Sequence, residues 1–305
     1  MKVGIPRALL YHRFSILWDV YFKELGIETV LSPKTDKLIM EKGEHFGIDE
    51  SCLSSKLFWG HVDCLAGKCD TIFVPRIANY GKEGYLCSRF EALYDTAVNT
   101  FRDRNVRFVC CNVDEQQKIT EEKAYISLAV SLGKTKSDGK RAYRKAYAAY
   151  KQDLFVKEQA QADLLKKDDI KILILGHSYN LYDEYIGIPI LNTLKKLDTI
   201  PILADHYDFD KARREYTKIC KDIPWFTSRE LVGALAHYEN DVDGVILLTA
   251  FPCGPDSMVN EMIIRRVHDK PILNLLLDSQ DGNAGIDTRL ESFIDIIRFR
   301  KGAAV

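Results

Sequence analysis

Cysteine is the residue type whose placement in this sequence points most directly to chemistry. Cys253 lies in the stretch Phe251-Pro252-Cys253-Gly254-Pro255-Asp256-Ser257. An apolar run, residues 244–250, leads in, and an apolar-patterned segment, 258–267, leads away, which predicts strand, tight turn and helix. A thiol there stands at the end of a buried strand and beside a helix N-terminus, whose positive dipole end and free N–H groups favour a thiolate. Pro255 suits the first helical turn, where no N–H is needed, and Asp256 suits that end by its charge. A cysteine so held reads as a ligand or a nucleophile; the plainer reading is a small buried hydrophobe. Cys52 follows Asp49-Glu50-Ser51 at the opening of a predicted helix, with Asp49 as N-cap and Cys52 in the first turn. Cys87 lies in a glycine-containing loop between a predicted strand, 71–75, and a predicted helix, 89–101. By spacing alone, three scattered cysteines are a weak signal for iron–sulfur binding.

The other five cysteines divide. Cys64 and Cys69 flank Leu-Ala-Gly-Lys, a gap unlike a compact ferredoxin or zinc spacing, and are kept as extra candidate ligands. Cys110 and Cys111 are adjacent on a predicted strand, point to opposite faces and read as packing residues. Cys220 is alone near a helix end and reads as inert. Two histidines contrast. His177 follows a strand that ends at Gly176 and is a candidate proton donor, with a hydrogen-bonded structural role as the alternative. His61 lies among apolar residues on a helix and reads as a satisfied core histidine. Arg289 and Glu291 read as an ion pair or a cap, and the acidic loop 278–282 as a lining of the Cys253 cleft or a solvated turn. No Gly-x-x-x-x-Gly-Lys-Ser/Thr pattern occurs, so ATP hydrolysis by this chain is not expected.

These residues need a scaffold, and the pattern supplies an α/β one. Strands are predicted at 3–6, 29–32, 71–75 and 107–111, and helices at 11–25, 37–45, 49–66, 89–101 and 121–132. A long polar-faced helix, 140–166, carries Tyr143, Tyr147, Tyr150 and Leu154 as one stripe. Alternation resumes with strands at 171–175, 201–203, 244–249 and 271–276. Its helices are expected near 186–197, 211–219, 228–237, 258–267 and 288–298. The expectation is two Rossmann-like open parallel-sheet domains, 1–135 and 169–305, joined by a connecting helix, 136–168. In such sheets ligands gather beyond the carboxyl ends of the strands. A chain of 305 residues is long enough for two cores, and a net charge of −1 without single-sign runs argues against nucleic acid and anionic membrane as partners. The N-terminus reads as a strand, not a signal peptide, and no apolar stretch approaches the ~20 residues of a spanning helix, so a cytoplasmic protein is expected.

Several segments, in order along the chain, resemble the 2-hydroxyacyl-CoA dehydratase and benzoyl-CoA reductase family, in its activase-related group. They are Lys2-Val3-Gly4-Ile5-Pro6-Arg7-Ala8-Leu9, Asp49-Glu50-Ser51-Cys52-Leu53 with Lys56, Gly60-His61 and Phe73-Val74-Pro75-Arg76. Gly176-His177-Ser178-Tyr179-Asn180 with Tyr182-Asp183, then Cys253-Gly254-Pro255-Asp256-Ser257, continue the series. Gly285 with Thr288-Arg289-Leu290-Glu291 and Phe293 ends it. Ser54 stands where much of the group has proline. The resemblance implies paired Rossmann-like domains and an iron–sulfur cluster held by three cysteines, matched here by Cys52, Cys87 and Cys253. The cluster would be a 4Fe-4S cubane or a larger 8Fe-9S double cubane, with Gly254 leaving room for it. It further implies anaerobic chemistry, an ATP-hydrolysing activase as a separate electron donor, a small-molecule or acyl-CoA substrate, and homo- or hetero-dimers.

Two functions follow. One is a redox enzyme component that accepts a low-potential electron and reduces or dehydrates a small substrate. The other is a non-catalytic cluster or electron carrier, or scaffold, for a larger activase or dehydratase system. A metal-free nucleotide- or sugar-binding protein is a third class, and fold alone does not choose among them.

Overall fold

Two all-parallel four-stranded sheets organise the chain. The computed structural model describes residues 1–82, 84–279 and 283–303. It falls into two compact units, 1–153 with 224–226, and 154–223 with 227–305. The α/β expectation of two parallel-sheet domains is met.

The first unit runs β1 (Lys2–Ile5), α1 (Tyr11–Glu24), β2 (Glu28–Leu31), α2 (Lys37–Phe46), α3 (Leu53–Leu65) and β3 (Thr71–Asn79). It continues with α4 (Ser88–Thr100), β4 (Phe108–Asp114), α5 (Glu121–Ser131) and the first part of α6 (Lys136–Leu165). Its strands lie in the order β2-β1-β3-β4. The core gathers on the β3 side of α1: Leu17, Tyr21 and Phe22 are fully buried, and Trp18 meets Phe73 edge-on at 4.9 Å. Trp18 Nε1 donates to Tyr125 Oη at 2.8 Å, which satisfies a polar group inside an aromatic cluster.

Strand β3 exceeds its predicted end at Pro75 and reaches Asn79, and β4 reaches Asp114 rather than Cys111. Register explains why proline does not stop β3. Ile72 N–H donates toward β4, so odd-numbered residues of β3 face β1. β1 pairs only as far as Ile72 of β3, so the N–H that Pro75 lacks has no partner to miss. In α6, Ala142, Tyr143, Ala146 and Tyr150 form the buried face, and Tyr147 is pushed to its margin, 40 % exposed. Tyr143 stacks on Tyr125 at 5.1 Å and donates to Glu121 at 2.9 Å.

The second unit takes the rest of α6, then β5 (Ile170–Leu175), α7 (Ser178–Leu181), α8 (Gly187–Lys196), β6 (Thr199–Leu203) and α9 (Phe209–Glu215). It ends with α10 (Phe226–Tyr238), all but its first residue, then β7 (Gly244–Ala250), α11 (Gly254–Ile264), β8 (Ile272–Leu277) and α12 (Asn283–Ala303). Its order, β6-β5-β7-β8, repeats that of the first sheet. β7 is buried along its whole length, as a parallel strand covered on both faces must be. Gln161 of α6 bonds the edge strand through both ends of its amide: it accepts from Leu203 N–H at 2.8 Å and donates to Leu203 C=O at 3.0 Å. Helix α11 starts at Gly254 rather than Met258, and α9 is shorter than expected and passes into a 3-10 turn at Tyr216. Among the described residues no helix is long and apolar enough to cross a membrane.

Candidate functional site

The three cysteines singled out by sequence share one local geometry. Each is the N-cap of a helix: Cys52 of α3, Cys87 of α4 and Cys253 of α11. Cys52 is therefore not in the first helical turn behind an Asp49 cap; the helix begins one residue after it. All three are half-buried, and none uses its side chain to cap. Serine, threonine, aspartate and asparagine are the usual N-caps, because their oxygens accept the free N–H groups. A thiol in that place forgoes the cap while sitting at the positive end of the helix.

In the first unit, Cys87 lies beyond the carboxyl end of β3, and Cys52 opens the helix leading into β3. The two helix starts are tied together. Arg89, in the first turn of α4, donates to the carbonyl of Glu50, two residues before Cys52, at 3.3 Å. Cys52 Sγ lies 3.2 Å from Ser55 Oγ.

Cys64 and Cys69 are placed elsewhere. Cys64 is buried at the far end of α3, a rise of roughly 18 Å from Cys52 at 1.5 Å per residue. Its Sγ accepts from Lys42 Nζ at 3.7 Å. Cys69 packs against β1, where a Cβ at Gly4 would lie 2.5 Å from its sulfur. Burial pushes its thiol pKa up, as it does for Cys111 and Cys220, and pushes Cys110 up to about 12. These four thiols stay protonated at neutral pH.

In the second unit, β5 continues on one side to β6 and on the other to β7, so the switch point of the sheet lies between β5 and β7. His177 follows β5, and Cys253 follows β7. His177 Nε2 lies 2.9 Å from Asp256 Oδ1, with the two residues 7 % and 5 % exposed. The His177 ring stacks on Tyr179 at 5.0 Å. Tyr182 donates to Asp205 at 3.0 Å and meets His206 Nε2 at 2.9 Å, linking the loops after β5 and β6. Asp183, 1 % exposed, accepts from the N–H groups of Tyr185 and Ile186. A Cβ at Gly254 would meet nothing within 4 Å, so the start of α11 is open. Of the acidic loop 278–282, residues 280–282 lie outside the described residues.

His61 is the satisfied core histidine that its surroundings predict. It is fully buried, its two ring nitrogens meet Ser32 Oγ at 2.8 Å and Thr35 Oγ1 at 3.0 Å, and burial lowers its pKa to about 3, helped by His12 and Arg7. The His177–Asp256 pair was missed as a pair. Its partners are 79 residues apart, and only the strand order of the sheet brings them together.

Among the described residues no group of three or more His, Cys, Asp or Glu side chains forms a metal site. Taken one by one, Cys52, Cys87 and Cys253 nevertheless each offer a soft donor of the kind an iron–sulfur cluster takes. They are thiols that are neither sealed in a core nor spent on capping, each at the N-terminal end of a helix, where the dipole offsets negative charge.

Comparison with known proteins adds a family. No curated protein matches the sequence. Among solved structures, the SBP FpvC from Pseudomonas aeruginosa in complex with Mn2+ is 10% identical over 98% of this chain and 97% of its own, with a TM-score of 0.31. ZnuA is 12% identical over 98% of both chains, with a TM-score of 0.26. The C-terminal domain of glucosamine-fructose-6-phosphate aminotransferase from Francisella tularensis is 11% identical over 97% and 84%, with a TM-score of 0.23. Likeness at this level carries no weight for function. Residues 2–206, which include Cys52, Cys87 and His177, match the sequence profile of the CoA enzyme activase uncharacterised domain (DUF2229). The chain therefore belongs to that activase-related family.

Proposed function

We propose that this protein is an iron–sulfur component of an activase-dependent dehydratase or reductase system, with Cys52, Cys87 and Cys253 as the cluster ligands. The observation that carries the reading is the shared placement of the three thiols as N-caps that do not cap. Family membership implies a role beside an activase or enzyme partner. The finer reading, an ATP-hydrolysing activase as electron donor and a small-molecule or acyl-CoA substrate, rests on the sequence resemblance.

When bound, a cubane held by three thiolates supplies one iron without a protein ligand, a Lewis acid and one-electron centre for a substrate oxygen. The chain's own contribution is electrostatic and positional. The N-terminal N–H groups of α3, α4 and α11 offset the charge of the thiolates. Arg89 fixes the start of α4 against the segment that presents Cys52.

The test is anaerobic purification with iron and sulfide quantification, followed by reduction with and without a cognate activase and ATP. Bound iron and sulfide in near-equal amounts, and turnover of a 2-hydroxyacyl-CoA only with activase and ATP, are expected. A colourless, iron-free protein from anaerobic cells overturns the reading. Iron with electron transfer but no turnover of any acyl-CoA replaces it with the carrier.

A further inference from the structure

We propose that His177, positioned by Asp256, is a hydrogen-bonding contact for a small hydroxyl- or carbonyl-bearing molecule at the carboxyl ends of β5 and β7. The inference rests on and deepens the proposed function, since Cys253 is the N-cap of α11 and Asp256 lies in its first turn.

Two histidines are buried among the described residues, His61 and His177. His61 has a partner on each ring nitrogen. His177 is nearly as buried, at 7 % exposure, yet only Nε2 is engaged, and Nδ1 has no hydrogen-bond partner among the described residues. Buried polar groups are paired in the great majority of cases, and a leftover one calls for an explanation. Nδ1 is also not one of the fully sealed, unpartnered polar atoms of the protein, so it keeps contact with the outside. A ring nitrogen that is unpaired, unsealed and held at a switch point is placed to meet a ligand.

Asp256 decides what the ring offers. An ionised carboxylate only accepts, so the proton of a neutral imidazole resides on Nε2 and leaves Nδ1 as an acceptor. A protonated ring offers Nδ1–H as a donor instead. The first state suits a hydroxyl and the second a carbonyl oxygen. Stacking on Tyr179 holds the ring plane. The arrangement matches the way a carboxylate fixes the tautomer of a functional histidine elsewhere. Asp256 is thus a positioning residue: it acts on the ligand only through His177.

The test uses the full chain prepared free of iron, so that a failure of the cluster reading leaves it intact. Nitrogen-15 NMR of the histidine rings, with His177 assigned through His177→Gln, should show the proton on Nε2 and a bare Nδ1. Lactamide, a neutral probe with one hydroxyl and one carbonyl oxygen, should shift the Nδ1 resonance saturably and leave His61 unmoved. In Asp256→Asn the ring should populate both tautomers, and the lactamide shift should fall at least tenfold at equal probe concentration. A neutral ring in the wild type with its proton on Nδ1 and a bare Nε2, or no saturable shift with lactamide, overturns the proposal. Neither of these readings uses Asp256→Asn, so both stand even where that variant fails to fold.

Discussion

The two units are built to one plan and differ at the same point in it. In each, the first strand is second in the sheet, the third strand lies beside it, and the helix after that third strand is N-capped by cysteine: Cys87 on α4, Cys253 on α11. The connection differs. Three residues, Phe251–Cys253, separate β7 from α11, whereas eight, from Tyr80 to Cys87, separate β3 from α4. The longer loop is pinned by Asn79 pairing with Tyr85 and by Tyr85 pairing with Trp225. The first unit adds Cys52 on the helix leading into its third strand; α10, in the matching place, begins with Phe226. The second unit instead has His177–Asp256 across its switch point. Topology thus fixes where a thiol is offered, and local sequence decides how many thiols and which proton-bearing group accompany it.

Breaking the thiol set is expected to have the largest effect. Cys52→Ser, Cys87→Ser and Cys253→Ser should each lose most of the iron bound by anaerobically prepared protein, since serine keeps the size but not the soft donor. Wild-type iron in Cys253→Ser would remove the second unit from the ligand set and end the parallel drawn above.

A second prediction separates the units by stability. A Cβ at Gly60 would lie 2.0 Å from the backbone oxygen of Ile39, so Gly60→Ala must push α2 from α3. The expected cost is about 3 kcal/mol, confined to the first unit. All three tryptophans, Trp18, Trp59 and Trp225, belong to that unit, so fluorescence-detected denaturation reports chiefly on it. An unchanged tryptophan transition would show that the helix pair is looser than described.

Gln161→Met tests the second unit in the same way. It removes both bonds to Leu203 at the edge of the sheet, for a loss of about 2 kcal/mol. Hydrogen exchange at Leu203 should quicken, and tryptophan fluorescence should not register the change.

A pH prediction follows for the first unit. The folded pKa of His61 is about 3 against an ordinary 6.5, so between these values the unfolded chain binds more protons. Stability from this group is complete above about pH 6.5 and falls as pH drops toward 3, by at most about 1.4 kcal/mol per pH unit. His61→Gln should flatten that slope in tryptophan-detected unfolding; an unaltered slope would assign it to other groups.

The smallest effect on iron is expected for the remaining cysteines. Cys64→Ser, Cys69→Ser and Cys220→Ser should keep the wild-type ratio of iron to folded protein and lower only the melting temperature. Iron loss in both Cys64→Ser and Cys69→Ser would bring the far end of α3 into the ligand set and favour a larger cluster.

Much of this was determined by sequence alone. The alternation of apolar strands with amphipathic helices specified two α/β units, because each pattern can bury its apolar face only in a layered sheet. Turn residues and helix-start signals placed Cys52 at the opening of a helix, Cys253 in the turn before one and Cys87 in a loop leading to one, and the apolar setting of His61 marked it as core. These are local signals, carried by neighbours within one turn or one strand. Local reasoning failed where a long-range partner set the outcome. Pro75 reads as a strand end, yet the strand runs on because β1 stops short beside it. Asp256 reads as a charge on a helix dipole, yet its partner is His177, 79 residues away. Gln161 carries no signal of its own within the polar-faced helix, yet it pairs with the edge strand at Leu203. Strand order and register choose such partners, and both are fixed only when the whole sheet assembles, since a parallel sheet pairs strands that are never adjacent in the chain.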